Sequence, residues 1–449
     1  MGYTLILLQE MNLAKMSPLH WKVACLCVNS GDINEDITSS TDYGAIAKAI
    51  ARMEKGFVIP PNINTSDLGF KPDMSRNKAI YGLSAISGIS FDLAKEIMKL
   101  RPYTSFEDFL EKCVKTKLVQ PSKVYNLIKS GAFDDFSEDR TTIMAEFIKY
   151  LIPEKEKLTT ANIPKLYEYG VIPVDFMKEC GLYYFRKEVF KKENLIKPIN
   201  KTQGIYSVKV DPNNFLVNID DFIEAVEYDD EGALSLNSKI FDKLYKSRQK
   251  SFEEWIKSEE ALGRFNYAAR MEVWNKNCSG TIAKWEMDSI CYYSKEHELE
   301  EMNISNYYDI SNFKELPKEP KFEIVENPKT KKTFKKFQTY LVAGVVVEKN
   351  KNKNIVTLAT LDGVVDVKLH KESFAMYDRK TSEENSWLSR GTKLIVNGYR
   401  RGETFVPRVY KDSIFRQALV KVEKNYETIR IKDVRRTESE YENNILYFC

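Results

Sequence analysis

Apolar residues recur at helical spacing through most of the first two-thirds of the chain and at strand spacing beyond residue 339, so the pattern divides the chain before any chemistry is considered. Between 80 and 101 the helical period is interrupted once. Ile80, Leu83 and Ile86 share a face, Ser87-Gly88-Ile89-Ser90 breaks it, and Leu93, Ala94, Ile97 and Leu100 resume it. This predicts a short helix, a glycine turn and a second helix, a helix-hairpin-helix. Gly88 suits a turn that a Cβ would oppose, and Ser90 or Asp92 can cap the second helix. The N–H groups freed at such a helix start suit a backbone phosphate, with Lys95, Lys99 and Arg101 close by. The candidate DNA-backbone site is therefore Ser87, Gly88, Ile89, Ser90, Lys95, Lys99 and Arg101. A generic αα-hairpin has the same pattern, and the usual phosphate-binding hairpin carries a second glycine where this chain has Ser90.

Around this hairpin the helical reading continues. Residues 1 to about 30 read as helix, with Pro18 at a start and Trp21, Cys25 and Val28 on one face. Tyr43 to Lys55 forms a second helix, opened by Thr41 or Asp42 and stopped by Gly56; 57–66 is extended, because each proline pushes its predecessor out of the helical region. Thr104 to Cys113 is capped by Ser105 with Asp108 at the capping-box position, and Pro121 to Ser130 ends at Gly131. Helical spacing recurs at 143–151, 174–179 and 241–260, with a strand at 205–210.

Prolines and a lysine run make 311–338 a solvated basic linker. Five strands follow, at 339–348, 355–361, 364–369, 392–399 and 404–410, with a helix at 371–377 after the third; that is the order of an OB-fold barrel. An OB barrel binds single strands through stacking aromatics and basic side chains, which Tyr340, Lys349, Lys351, Lys353, Tyr399, Arg400, Arg401 and Arg408 supply. Many such barrels bind protein or nothing. The tail, 411–449, mixes an amphipathic helix with a charged strand-like stretch. The fold class is α+β and multidomain: a mostly helical N-terminal two-thirds, then an all-β barrel and a short α/β tail.

Composition narrows the class without fixing a partner. The 449 residues include 43% hydrophobic and 12% aromatic side chains, as in a globular chain of several domains. Lysine plus arginine (68) nearly balances aspartate plus glutamate (65), so a nucleic-acid surface must be local. Seven scattered cysteines with no Cys-x-x-Cys pair argue against a disulfide framework or zinc site and fit a reduced cytoplasm. The three histidines lie far apart, and Leu5-Ile-Leu-Leu8 is too short for a membrane span. Asp220-Asp221 and Asp229-Asp230-Glu231 invite a two-metal reading, but they fall at an apparent helix start and a turn, where capping and solvation explain them. No catalytic and no metal-ligating residue is assigned. His297 has no partner nucleophile near it in sequence and reads as structural.

Ile80-Tyr-Gly-Leu through Ile86-Ser-Gly, Phe106 to Phe109, and Leu127 to Asp134 with its Ser-Gly-Ala-Phe-Asp ending resemble the tandem helix-hairpin-helix region of bacterial DNA polymerase III alpha subunits, the C-family polymerases. Pro60 to Ser66 with Phe70 resembles the end of that family's fingers domain. Tyr292-Tyr293-Ser294 and His297-Glu298-Leu299 resemble a segment preceding its OB domain, with departures at the family's glycine (Cys291) and proline (Glu298). The resemblance implies the end of a fingers domain over 1–75, hairpins over 76–137, a helical region with an atypical insertion over 138–310, linker 311–338, OB-fold 339–410 and tail 411–449.

The family's N-terminal phosphoesterase-like domain, palm and thumb are missing. With Met1 inside the fingers-like stretch, the chain resembles one product of a split bacteriophage polymerase gene. On that view it binds primer-template duplex and single-stranded template in the host cytoplasm. It binds no cofactor itself, and Mg2+ belongs to a separate palm-bearing catalytic chain. The alternative is a stand-alone hairpin and OB accessory protein. The family's sliding-clamp peptide has only poor counterparts, Gln203-Gly-Ile-Tyr-Ser and Gln249-Lys-Ser-Phe-Glu, so clamp binding by that route is not expected.

Overall fold

The computed structural model describes residues 2–30, 41–137, 139–186, 195–208, 218–228, 234–306, 308–326, 331–382, 384–425 and 428–432. Residues 1–144 together with 280–449 form one compact unit, and 145–279 form a second.

The first unit opens with helices α1 (Gly2–Met16), α2 (Pro18–Ser30) and α3 (Tyr43–Ala51). Asp42 caps α3 by accepting from the Ala45 N–H at 2.8 Å, as its position before the apolar run suggests. The buried side of α2 is Leu19, Val23 and Leu26, whereas Val28, placed by sequence on the apolar face, is exposed. Strands β1 (Val58–Ile59), β2 (Lys71–Asp73) and β3 (Lys78–Ile80) form a small sheet in the order β1-β3-β2. The predicted first helix of the hairpin is therefore absent. Ile80 ends a strand, and 81–90 is a pair of turns closed by Ile86 N–H to the Leu83 carbonyl and Ile89 N–H to the Ile86 carbonyl. Helical spacing arose there because two successive turns also repeat every three residues.

Next come α4 (Phe91–Lys99), α5 (Phe106–Phe109) continued by a π-helical turn at Leu110–Val114, α6 (Pro121–Ser130) and α7 (Arg140–Leu151). Pro121 occupies the first turn of α6, and Gly131 ends it at φ 86°, so both boundaries fall where proline and glycine place them.

The second unit is richer in strand than the helical reading of 138–310, which expected one strand, at 205–210. Besides α8 (Ile163–Glu168) and α9 (Met177–Tyr184), it holds strands β4 (Leu195–Asn200), β5 (Ile205–Val208), β6 (Val226–Tyr228) and β7 (Leu234–Asn237), in the order β4-β5-β7-β6. The helix expected over 241–260 is two helices of 19 residues, α10 (Ser238–Ile256) and α11 (Glu259–Asn277). Ser258 breaks them by capping the second, accepting from Ala261 N–H. The unit is held by an aromatic core including Phe185, Phe222, Phe241, Tyr245, Phe252 and Trp255. Asn218 caps a 3-10 stretch at 219–225, so Asp220-Asp221 lie in its first turn. Asp229-Asp230-Glu231 lies outside the described residues.

The chain returns to the first unit through α12 (Ile282–Ile290) and α13 (Glu298–Glu301). The expected linker then proves folded: β8 (Phe322–Glu326) and β9 (Thr333–Phe337) pair as an antiparallel hairpin. Lysines are frequent on exposed hairpins as well as in linkers, and composition did not separate the two. Lys329 and its neighbours at 327–330 lie outside the described residues.

The barrel comprises β10 (Tyr340–Asn350), β11 (Ile355–Thr360), β12 (Gly363–Lys368), α14 (Lys371–Asp378), β13 (Lys393–Arg401) and β14 (Thr404–Pro407). Pairings β10–β11, β11–β12, β12–β14 (parallel), β14–β13 and β13–β10 close it in the predicted OB order. Alternate residues of β10 serve two cores. Val342 and Val346 fill the interior with Leu358, Val396, Phe405 and Trp387. Leu341, Ala343, Val345 and Val347 face outward against Ala47, Met287, Leu299 and Met302. In the tail, β15 (Leu419–Asn425) joins β13, and β16 (Thr428–Lys432) joins β15. Those strands replace the predicted helix over the described part of the tail; 433–449 lie outside the described residues.

Candidate nucleic-acid interface

The hairpin turn is built by its neighbours. Ile89 is buried while Gly88 and Ser90 are exposed, so the turn is anchored through one apolar side chain and presents its tip to solvent. Gly88 has φ 77°, and a Cβ there would lie 3.1 Å from Lys123 Nζ and 3.4 Å from Asn126 Nδ2. Ser90 caps α4 by accepting from the Leu93 N–H at 3.3 Å. Asn126 on α6 donates to the Ser87 carbonyl at 2.6 Å, and Ser87 N–H donates to the Ser289 carbonyl of α12. Tyr81, wholly buried, donates to the Ile290 carbonyl at 2.9 Å. The turn is thus held between α6 and α12. The later segment that resembles the polymerase III alpha pattern packs against the hairpin. Cys291, which departs from the glycine the resemblance implies, has a left-handed φ of 59°, a conformation that favours glycine.

The three basic candidates differ in their engagement. Lys95 lies over the Phe91 ring at 4.3 Å, and Lys99 pairs with Glu96 at the surface. Both remain on the face of α4 that leaves Ala94 and Ile97 buried. Arg101 is turned inward instead. Its Nε donates to the Ile63 carbonyl at 2.7 Å, its Nη2 is buried, and desolvation lowers its pKa. It braces the strap before the hairpin and is not a surface phosphate ligand. Lys123, which sequence reasoning passed over, is the cation next to Gly88. Its signal is only structural, because α6 is folded back onto the turn 35 residues upstream.

The Ser-Gly-Ala-Phe-Asp ending also has a physical account. Asp134 pairs with Arg140 at 2.7 Å, and Arg140 reaches Glu286 of α12 at 3.0 Å; both Arg140 and Glu286 are buried. Glu286 in turn accepts from the Ser294 N–H at 2.8 Å. A Cβ at Gly131 would collide with the Arg140 guanidinium, so the glycine makes room for this network. Removing one partner from such a buried set costs about 3–5 kcal/mol.

The barrel candidates scatter. Arg400 is buried, donates to the carbonyls of Phe313, Lys314, Leu316 and Gly402, and lies over the Phe313 ring. It pins that turn and cannot serve a phosphate. Lys349 and Lys351 both pair with Asp378. Lys353 lies in the exposed β10–β11 loop. Tyr340 packs partly into the barrel core. Tyr399 stacks on Phe337 at 4.5 Å, while Arg401 and Arg408 are exposed, the latter over the Tyr410 ring. The outer face of the second and third barrel strands, where OB-folds take ligands, is occupied by α3. Lys48 pairs with Asp366 at 2.7 Å, and Glu348 of β10 accepts from the Gly44 N–H at 2.7 Å.

Neither clamp-peptide counterpart is an extended free segment. Ile205 and Tyr206 lie in β5 between β4 and β7, and Phe252 is buried within α10. Among the described residues, no group of three or more His, Cys, Asp or Glu is placed to hold a metal ion, and no helix is long and apolar enough to cross a membrane.

A helix-hairpin-helix motif profile matches residues 57–143. Over 94% of its length the chain is 35% identical to a probable DNA polymerase, YorL, of Bacillus subtilis (strain 168), and equally to a DNA-directed DNA polymerase of Bacillus phage SPbeta. It spans about a third of the length of those two relatives, 34%. The DNA polymerase III alpha subunit of Bacillus subtilis matches 32% of the chain at 31% identity, over 12% of its own length. That of Aquifex aeolicus matches 31% at 32% identity, again over 12%. The resemblance to the C-terminal half of polymerase III alpha-like polymerases therefore holds, with the hairpin region at its centre.

Proposed function

We propose that this chain is the DNA-gripping portion of a C-family replicative polymerase, holding duplex behind the active site and single-stranded template ahead of it for a separately encoded palm-bearing chain in phage DNA replication. The observation that carries the reading is the hairpin turn itself. An exposed left-handed glycine and a serine-capped helix start stand beside Lys123, and Lys95 and Lys99 lie on the following helix, an arrangement suited to phosphate. Similarity to two DNA polymerases over nearly the whole chain supports the polymerase setting over a stand-alone accessory protein.

The Mg2+ ions of nucleotidyl transfer belong, on this reading, to the partner. Such sites need carboxylates fixed close together, and Asp220 and Asp221 are placed instead in a helix's first turn, with Asp221 3.8 Å from Lys178. Clamp binding through the usual peptide is not part of the proposal, since that peptide inserts apolar ends that β5 and α10 use for folding. The working compartment is the host cytoplasm.

The test is primer extension by the palm-bearing chain with and without this one. The expected result is that the two co-purify, that this chain alone extends nothing, and that its addition lengthens products. Product lengths unchanged by its addition would contradict the proposal.

A further inference from the structure

The hairpin β8–β9 is the least explained surface of the barrel region. Cross-strand register puts Phe322, Ile324, Lys335 and Phe337 on one face, since opposed residues project to the same side. Phe322 is 47% exposed, Ile324 71% and, on the other face, Phe334 42%. Phe322 and Ile324 therefore form an exposed apolar patch on one face of a two-stranded ribbon, the kind of surface a ligand can cover.

The rings form a ladder. Phe322 meets Phe337 edge-on at 5.8 Å, and Phe337 stacks on Tyr399 of β13 at 4.5 Å with planes 24° apart. Lysines accompany them: Lys335 lies exposed over the Phe322 ring at 4.2 Å, whereas Lys336 lies over Tyr410 at 5.9 Å beside Arg408 and is paired with Asp412 at 2.8 Å and Glu323 at 3.7 Å, which leaves Lys335 the better-placed cation of the two. The Gly402 N–H donates to the Lys318 carbonyl, bringing that lysine to the turn after Arg401. Between 318 and 336 the described residues carry six lysines (318, 321, 331, 332, 335, 336) against three glutamates (319, 323, 326).

We infer that this ribbon and the edge of β13 form a single-stranded DNA-binding strip, bases stacking on Phe322 and its neighbours and phosphates meeting the flanking lysines. The inference rests on the proposed function and assigns its single-strand site, which the barrel's outer face cannot provide with α3 seated on it. Positive charge interleaved with exposed rings suits single-stranded nucleic acid, whose every base offers a π-face. A protein strand added to a free ribbon edge would need no such rings.

The test uses the full chain and two fluorescein-labelled probes, an oligo(dT) of about 15 nucleotides and a blunt duplex, read by anisotropy. Combined Phe322→Ala and Lys335→Gln is expected to weaken oligo(dT) binding about tenfold or more while duplex affinity stays within about twofold. Both side chains are exposed, and unchanged thermal unfolding would verify the fold. Independently, Phe322→Trp is expected to show emission, above the wild-type background, that oligo(dT) quenches and duplex does not. Unchanged oligo(dT) affinity, equal loss on both probes, no wild-type oligo(dT) binding, or a Phe322→Trp variant whose emission oligo(dT) leaves unquenched would each overturn the inference. Duplex binding that survives in these variants leaves the proposed function standing, so the two failures are distinguishable.

Discussion

His297 is buried against Tyr293, ring centroids 4.2 Å apart, and its Nδ1 accepts from the Leu299 N–H at the start of α13. A histidine so placed is a helix cap, and its titration reports on folding. Burial holds its pKa down to about 4 from an ordinary 6.5, with Lys55 and Lys393 acting in the same direction and Glu300 against it. The unfolded chain therefore takes up a proton between about pH 6.5 and 4 that the folded chain does not. Stability from the neutral ring is complete above about pH 6.5 and falls as pH drops through that window, by roughly 3 kcal/mol in total. His297→Asn keeps a capping acceptor and removes the titration. The expected outcome of urea unfolding at a series of pH values is that wild-type stability falls more steeply than the variant's from pH 6.5 to 4. Parallel curves would contradict the burial account.

At the scale of elements, what the sequence made legible depended on whether the signal was local. Caps and stops were readable: Asp42, Ser90, Ser105, Pro121 and Gly131 each sit where their side chain or backbone acts within four residues. The OB order was readable because every strand of the barrel is apolar on at least one face and the turn between β11 and β12, Leu361-Asp362, is short. The rest was not, for reasons of distance. Lys123 reaches Gly88 only through tertiary folding, and Arg101 turns inward because Ile63, 38 residues earlier, offers a carbonyl. Arg400 looked like a phosphate ligand until Phe313 to Leu316 folded over it. The same logic gives a prediction for the barrel. Lys349 and Lys351 share the single carboxylate of Asp378, so the trio keeps only one net positive charge, and changing both to Ala should alter oligo(dT) affinity by less than about threefold and remove no more than about one unit of salt slope. A loss of about tenfold would return the single-strand site to the β10–β11 loop.

For the molecule as a whole, the first unit joins a fingers-like start, the hairpins and the barrel through shared cores. Ala47 of α3, Met287 of α12 and Val345 of β10 lie in one cluster, and the Arg140–Glu286 pair ties α7 to α12 beside the hairpin. The hairpin turn is therefore braced by segments about 200 residues away in sequence, as with Tyr81 and Ile290, which makes it rigid. The role proposed for the Gly88 turn and its lysines is to hold duplex by its phosphates. The direct measurement is affinity for a primed duplex across a salt series, comparing wild type with Gly88→Val and with Lys95, Lys99 and Lys123 changed together to Ala. Each phosphate contact contributes about 0.9 to the slope of log affinity against log salt. The expected result is a wild-type affinity that falls with salt, a slope flattened by roughly 2–3 in the triple variant, and a loss of about tenfold or more in Gly88→Val on every sequence tested. An affinity indifferent to salt, or a triple variant with the wild-type slope, would contradict it.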